Sequence, residues 1–459
     1  MNISPKDIQF PSADPNMRKI VRVLAWISAV LLLLSLATLT WVDRSPILQQ
    51  AHVQQTLARI KATPWKSTSG EFWVAGWAKA NVTPSHPVPL VGYSPRGNYE
   101  FIQDSSFVKV LTLSNGTSQV AWLNYELLIV HPYLAQQVRQ GIQEAGLNLD
   151  QVLFTATHTH AGMGGYMPGP LGEIAFGGYE EEVVRGLVQG SVQALQAALA
   201  SQDTVTVSYR QTAAPAYVSN RFVKGGPIDP FLRQVLFEKR DGKKAVFLTY
   251  AAHATALSSK FMGLSGDYPQ ALTKGLEGEG YDFALYASGT VGSHRPNTEG
   301  NTPEKVKAYA LAIQQVLQAD SSSRYVENMQ QLRLADVEVS LGDPQLRISK
   351  DIRLRPWLFR YLVGDTPAYF NVTQVGSLLF ISSSGELSGV FYEEWEKLAK
   401  AQGLHLVITV FNGGYVGYIT PDELYDEDFH EVRETNWFGP GNGTYFDLMM
   451  QELIKKAGQ

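Results

Sequence analysis

The run VLAWISAVLLLLSLATLTWV, from Val23 to Val42, constrains this chain more than any other stretch, because its twenty residues carry no charge. A helix rising about 1.5 Å per residue over that length spans the roughly 30 Å hydrocarbon core of a bilayer. Trp26 and Trp41 stand near its two ends, where interfacial aromatics collect. Arg18, Lys19 and Arg22 precede it, while Asp43 and Arg44 follow without a positive excess. The positive-inside rule then leaves the N-terminus in the cytoplasm and the bulk of the chain outside, periplasmic or extracellular. The run exceeds the apolar region of a cleaved signal peptide, and only a weak small-residue cleavage site follows, so an uncleaved anchor is expected.

The organisation that follows has four parts: a cytoplasmic tail over 1–22, a transmembrane anchor over 23–42, a partly helical stalk over 43–69, and one large folded domain over 70–459. The chain has no cysteine, which excludes disulfides, thiolate metal ligands and cysteine nucleophiles. Any metal must therefore sit on histidine, carboxylate or phenolate. The net charge of −5 comes without a basic stripe, which argues against a nucleic-acid partner.

Within the body, apolar strand-like runs alternate with amphipathic helical ones. Strands are expected around 120–130, 152–160, 245–253, 283–289, 376–386 and 406–418. Helices are expected over 132–146, 180–199, 268–277, 303–319 and 390–402. The alternation predicts an α/β fold, a mixed sheet core flanked by helices. The segment DIRLRPWLFRYLV (351–363) is basic and aromatic and fits neither pattern. It reads either as a loop capping the core or as a surface that meets lipid.

Several of the apolar runs end at or near a potential metal ligand: His158, His253, Glu386 and Tyr418. In open α/β sheets, the crevice beyond the strands' carboxyl ends is where ligands bind. His158 and His160, two apart, face one side of an extended chain. They can share a metal, divide metal binding and proton transfer between them, or stand as two surface histidines. The metallo-β-lactamase-like continuation of His-x-His is absent, since Ala161, Gly162 and Met163 follow. His253 alone is equally a hydrogen-bonded core residue. Glu386 is equally a helix cap. Tyr418, three residues after Tyr415, by itself indicates packing.

Taken in order, NVTPSHPVPLVGY (81–93), VAWLNYELL (120–128), FTATHTHAGMGG (154–165), VSNRF (218–222), YAAHATAL (250–257), SGDYPQAL (265–272), GTVGSHRPN (289–297), SGEL (384–387) and GGYVGYIT (413–420) resemble the N-terminal catalytic domain of the neutral/alkaline non-lysosomal ceramidases. The resemblance implies zinc held by His158, His253, Glu386 and Tyr418. It implies His160 as the histidine facing the scissile amide and Arg221 as the active-site arginine. Ser293 would lie close to the substrate. Twelve residues past the ligand tyrosine the family has a second tyrosine, and here His430 takes that substrate-binding place. An immunoglobulin-like C-terminal domain has no counterpart up to Gln459. The implied activity is cleavage of the amide of ceramide or a related N-acyl lipid by a metal-bound water, at the surface of the membrane that holds the anchor. Two other readings remain: the same zinc chemistry on an ester, lactone or non-lipid amide, and a non-catalytic lipid-binding envelope protein of the same fold.

Overall fold

The computed structural model describes residues 15–93, 96–322 and 324–459. Most of the expected cytoplasmic tail lies outside the described residues. The helices in chain order are α1 (Pro15–Thr38), α2 (Ala51–Ala62), α3 (Pro132–Glu144), α4 (Pro170–Ala175), α5 (Glu181–Ala200), α6 (Asp267–Gly278), α7 (Pro303–Ala319), α8 (Pro356–Val363), α9 (Tyr392–Ala401), α10 (His430–Arg433) and α11 (Asn442–Ala457).

Two sheets form the centre. The larger, mixed sheet runs in spatial order Phe283–Ser288, Lys244–Tyr250, Phe231–Lys239, Asp203–Ala213, Trp73–Asn81, Phe107–Ser114, Gln119–Tyr125 and Gln151–Ala156, with Tyr325–Glu327 added beside Asp203–Ala213. The smaller runs Lys66–Ser69, Gln331–Glu338, Tyr369–Val375, Leu378–Ser383 and His405–Val410. Strands such as Phe283–Ser288, Leu378–Ser383 and His405–Val410 are near-continuously buried, because both faces of the sheets are covered there. The inner faces meet in one cluster that includes Trp73, Trp122, Phe247, Phe380 and Val407. The Trp122 and Phe380 rings stand 5.1 Å apart across that seam. The outer face of the larger sheet packs on α3, α5, α6 and α7, and that of the smaller on α9 and α11. The result is a four-layer α/β/β/α sandwich, in line with the α/β expectation.

The N-terminal region departs from expectation in two places. One helix among the described residues, Lys19–Thr38 within α1, is long and apolar enough to cross a membrane, and none of it is buried. It stops four residues before the expected end of the anchor. Leu39–Trp41 instead form a strand paired antiparallel with Ile352–Leu354. The expected stalk over 43–69 is part of the folded body. Its helix α2 buries Val53, Thr56 and Ile60, and Lys66–Ser69 pairs with Gln331–Glu338. Tyr445 on α11 donates to the Thr56 hydroxyl at 2.7 Å, and the Lys456 amine donates to the carbonyls of Ile60, Lys61 and Thr63 at the end of α2. Such a cation satisfies the last, unpaired carbonyls of a helix.

Candidate active site

Three parallel strand pairs aim their carboxyl ends at one place. Gln151–Ala156 lies parallel to Gln119–Tyr125, Lys244–Tyr250 to Phe283–Ser288, and Leu378–Ser383 to His405–Val410. His158 and His160 follow the first pair, His253 the second and Glu386 the third. Glu386 and Tyr418 are register partners in a further two-residue parallel pair, Glu386–Leu387 with Tyr418–Ile419. The backbone turns sharply to bring these groups in. His158 and Phe411 both adopt left-handed φ, at 61° and 66°, a region that non-glycine residues occupy only where the surroundings enforce it. Their rings stack at 4.3 Å, one from each sheet.

The three imidazoles share one hydrogen-bond pattern. Nδ1 of His158 faces the Leu128 carbonyl at 2.6 Å, that of His160 the Gly92 carbonyl at 2.8 Å, and that of His253 the Val291 carbonyl at 3.4 Å. Carbonyls only accept, so each Nδ1 carries the proton, and each neutral ring presents a lone pair at Nε2. Those Nε2 atoms converge, with 3.4 Å from His158 to His160 and 2.8 Å from His160 to His253. Lone pairs so close repel unless a cation lies among them. Glu386 Oε1 is 3.4 Å from His158 Nε2 and, although buried, has no hydrogen-bond partner in the protein. An orphaned buried carboxylate oxygen beside three imidazole lone pairs is the donor set of a divalent ion held by histidine and carboxylate with room for a further ligand. The side chains present therefore fit zinc, and backbone carbonyls at Nδ1 are the usual partners that orient such ligands.

The remaining charges are arranged around this centre. Tyr418 is the register partner of Glu386, and Tyr415 donates to Glu386 Oε2 at 3.3 Å. Burial, then the Glu386 charge, pushes the Tyr418 phenol well above its usual pKa. Arg221 pairs with Glu431 at 2.9 Å, donates to the Gly292 carbonyl at 2.9 Å and lies over the Tyr418 ring. Burial disfavours its charge, yet Tyr418, Glu431 and Glu386 together hold the guanidinium above its ordinary value. Burial, followed by the neighbouring His158, keeps the His160 imidazole well below its ordinary pKa, and His253 is lowered by the same two causes.

His158, His160, Arg221, Glu386, Tyr415 and Tyr418 line a pocket of about 570 Å³, with His253 buried behind them. Its wall is apolar, with Leu128, Ile129, Met167, Leu171 and Phe176 on one side. His430, Glu431, Thr435 and Asp365 supply polar groups to the same lining. The structure brings His158, His160, His253, Glu386, Tyr418 and Arg221 into mutual reach and places His430 on the pocket wall, its Nδ1 2.6 Å from Glu434. Ser293 lies apart. Its hydroxyl is buried among Ser388 Oγ, the Gly389 amide and His294 Nδ1, and it does not line the pocket. Glu431, Phe411 and the Gly92 carbonyl also shape the site, and none of them stands out in the sequence as a candidate. Only Glu431 left a signal, as the carboxylate next to the atypical His430.

Fold and site together define an α/β protein built around a buried candidate metal centre at the base of an apolar pocket. A family model described as neutral/alkaline non-lysosomal ceramidase, N-terminal, matches residues 73–308. The chain belongs to that family. A neutral ceramidase of Mycobacterium tuberculosis (strain ATCC 25618 / H37Rv) is 27% identical over 171 residues, a match that covers 32% of this chain and only 27% of that relative's length. The crystal structure of neutral ceramidase from Pseudomonas aeruginosa superposes with a TM-score of 0.69 at 16% identity, covering 84% of this chain and 74% of the other. A ceramidase complexed with C2 gives 0.70 at 16% identity, covering 84% and 75%. At that identity the two structures speak to fold.

Proposed function

We propose that this chain is a membrane-anchored, zinc-dependent amidohydrolase acting on ceramide or a related N-acyl lipid, with α1 in the bilayer and the domain on its extracytoplasmic side. One observation carries the reading: three imidazole lone pairs and an unpartnered carboxylate oxygen converge at the base of a pocket whose wall suits an acyl chain. His158, His253, Glu386 and Tyr418 would hold the ion, which when bound supplies Lewis-acid polarisation of a carbonyl and a water of lowered pKa.

The chain's own groups supply the rest. Arg221, fixed by Glu431 and the Gly292 carbonyl, keeps a guanidinium beside Tyr418, and its Nε is a donor without a protein partner. That donor and the Tyr418 hydroxyl suit the negative charge that develops on a carbonyl oxygen under attack. His160, tethered through Nδ1 to Gly92, keeps Nε2 for receiving a proton and delivering it to the departing amine. Leu128, Ile129, Met167 and Phe176 hold the acyl chain away from water, and His430 and Glu431 meet the polar end of the leaving group.

The test is metal content of the purified full chain, measured alongside cleavage of a fluorogenic N-acyl sphingosine, an ester and a lactone, before and after chelation. Zinc near one per chain, with chelator-sensitive amide cleavage restored by added zinc, is expected. Protein that binds no divalent ion, or that cleaves none of the three, would overturn the proposal. Cleavage confined to the ester or lactone would keep the chemistry and replace the substrate class.

A further inference from the structure

The same two short helices that wall the pocket also carry an apolar surface next to the anchor. Leu171 and Ala175 of α4 and Val363 of α8 line the pocket, and α4 packs against α8. On the same two helices Ile174, Trp357 and Tyr361 are exposed, the last two at 54% and 68%. Trp41 and Ile348 stand out beside them, on and next to the strand pair that precedes α8. An apolar surface of this kind marks a binding face.

The position of α1 says what covers it. Helix α1 ends with unpaired carbonyls, which at a bilayer boundary need protein partners. They find them on α8 and its approach. The Arg355 guanidinium donates to Leu36, the Trp357 indole to Ala37 and the Arg355 amide to Thr38, at 2.8, 2.9 and 2.8 Å. One residue further on, the Leu39–Trp41 strand is already paired with Ile352–Leu354, and the Arg353 guanidinium donates to the Trp41 carbonyl at 3.0 Å. No free tether separates the spanning helix from the body. The exposed patch therefore begins where the helix ends. Its rim carries the Lys350 and Arg360 side chains, 66% and 57% exposed and paired with Asp426 at 3.8 Å and Asp343 at 3.2 Å. Tryptophan and tyrosine with flanking cations are the side chains that settle at the headgroup level.

From this juxtaposition we infer that α8, α4 and the paired strands form a docking face that rests on the outer surface of the bilayer spanned by α1, and that the pocket opens between α4 and α8 toward that lipid. Substrate then passes from the membrane into the pocket without crossing water. The inference rests on the anchoring part of the function proposed above, and it deepens that proposal by fixing the route of entry.

The chain has no native cysteine, so single labels are available. Full-length Trp357→Cys and Tyr361→Cys, each carrying an environment-sensitive dye, are reconstituted into phosphatidylcholine vesicles containing a phospholipid with a spin-label quencher near the headgroup. Lys243→Cys is the reference, since Lys243 lies in the turn before Lys244–Tyr250, at the end of that strand remote from His253. Quenching several-fold stronger at 357 and 361 than at 243 is the expected result. Tyr361 bonds nothing in α1, so its variant reports the face even if Trp357→Cys loosens the anchor contact. Protein that fails to float with the vesicles overturns the anchoring, and the docking with it. Protein that floats while all three labels behave alike overturns the docking alone. Shielding at 361 that persists in lipid-free detergent and grows with protein concentration would put a second copy of the chain on the face instead, and so refute it.

Discussion

Gly92→Ala tests how the site assigns work to His160 without removing any functional group. Gly92 has φ +98°, and a methyl added there would lie 2.6 Å from the His160 Cα and 2.7 Å from its Cβ and Cγ. Carbon atoms rest at about 3.5–4.0 Å, so the imidazole must retreat by roughly 1 Å. The Gly92 carbonyl, which holds His160 Nδ1 at 2.8 Å, moves with it. A non-glycine residue at such φ adds strain of about 1–3 kcal/mol. Misplacing a proton-transfer group by about 1 Å costs on the order of a hundredfold in turnover. The expected result is therefore a loss of that size in amide cleavage with metal content unchanged, since His160 is assigned to the proton and not to the ion. Gly97→Ala is the control, because among the described residues a methyl there meets nothing nearer than Met262 at 4.0 Å. Metal is counted by elemental analysis, turnover by the fluorogenic substrate, and folding by the thermal midpoint. Wild-type turnover in a folded Gly92→Ala protein refutes the reasoning. Loss of the metal would instead make His160 a ligand, completing a three-histidine set with His158 and His253.

Two further expectations concern stability. Ile60 is 1% exposed on α2, so Ile60→Ala should destabilise the full chain by about 2–5 kcal/mol in denaturant titrations; a change near zero would return residues 43–69 to the status of a stalk. His131 caps α3, its Nδ1 accepting from the Tyr133 amide at 3.3 Å, and burial pushes its pKa from 6.5 down to about 4. The folded-state value lies below the unfolded one, so the unfolded chain takes up the proton first, and stability present above pH 6.5 is lost as pH falls toward 4. The difference corresponds to at most roughly 3 kcal/mol. His131→Asn, a good cap that does not titrate, should flatten that part of the pH–stability curve, and curves parallel to wild type would refute the assignment.

Much of the candidate site is legible in the sequence, because each candidate ligand lies at or shortly after the end of a short apolar run. Strand ends are recognisable from β-branched runs that stop at glycine or histidine, and α7 falls on the expected 303–319. What escaped was set by pairing across long sequence distances. The antiparallel strands Asp203–Ala213 and Phe231–Lys239 are legible only through their register with each other. Helix α2 shows three buried positions in twelve residues, too few to announce a core face, and its partner α11 lies at the far end of the chain. The carbonyls of Gly92, Leu128 and Val291, which fix all three histidine tautomers, leave no mark in residue type at all. Ser293 illustrates the converse: a polar residue in a matching motif whose hydroxyl is spent inside the protein.

The pairing of Leu39–Trp41 with Ile352–Leu354 sets a limit on reach. A body on a slack leash could sweep a hemisphere and attack an apposed membrane or a passing vesicle. Here the leash has no length. With α1 inserted, the domain can patrol only the leaflet from which its own helix emerges, travelling as that helix diffuses in two dimensions, and a neighbouring cell's lipids would go untouched.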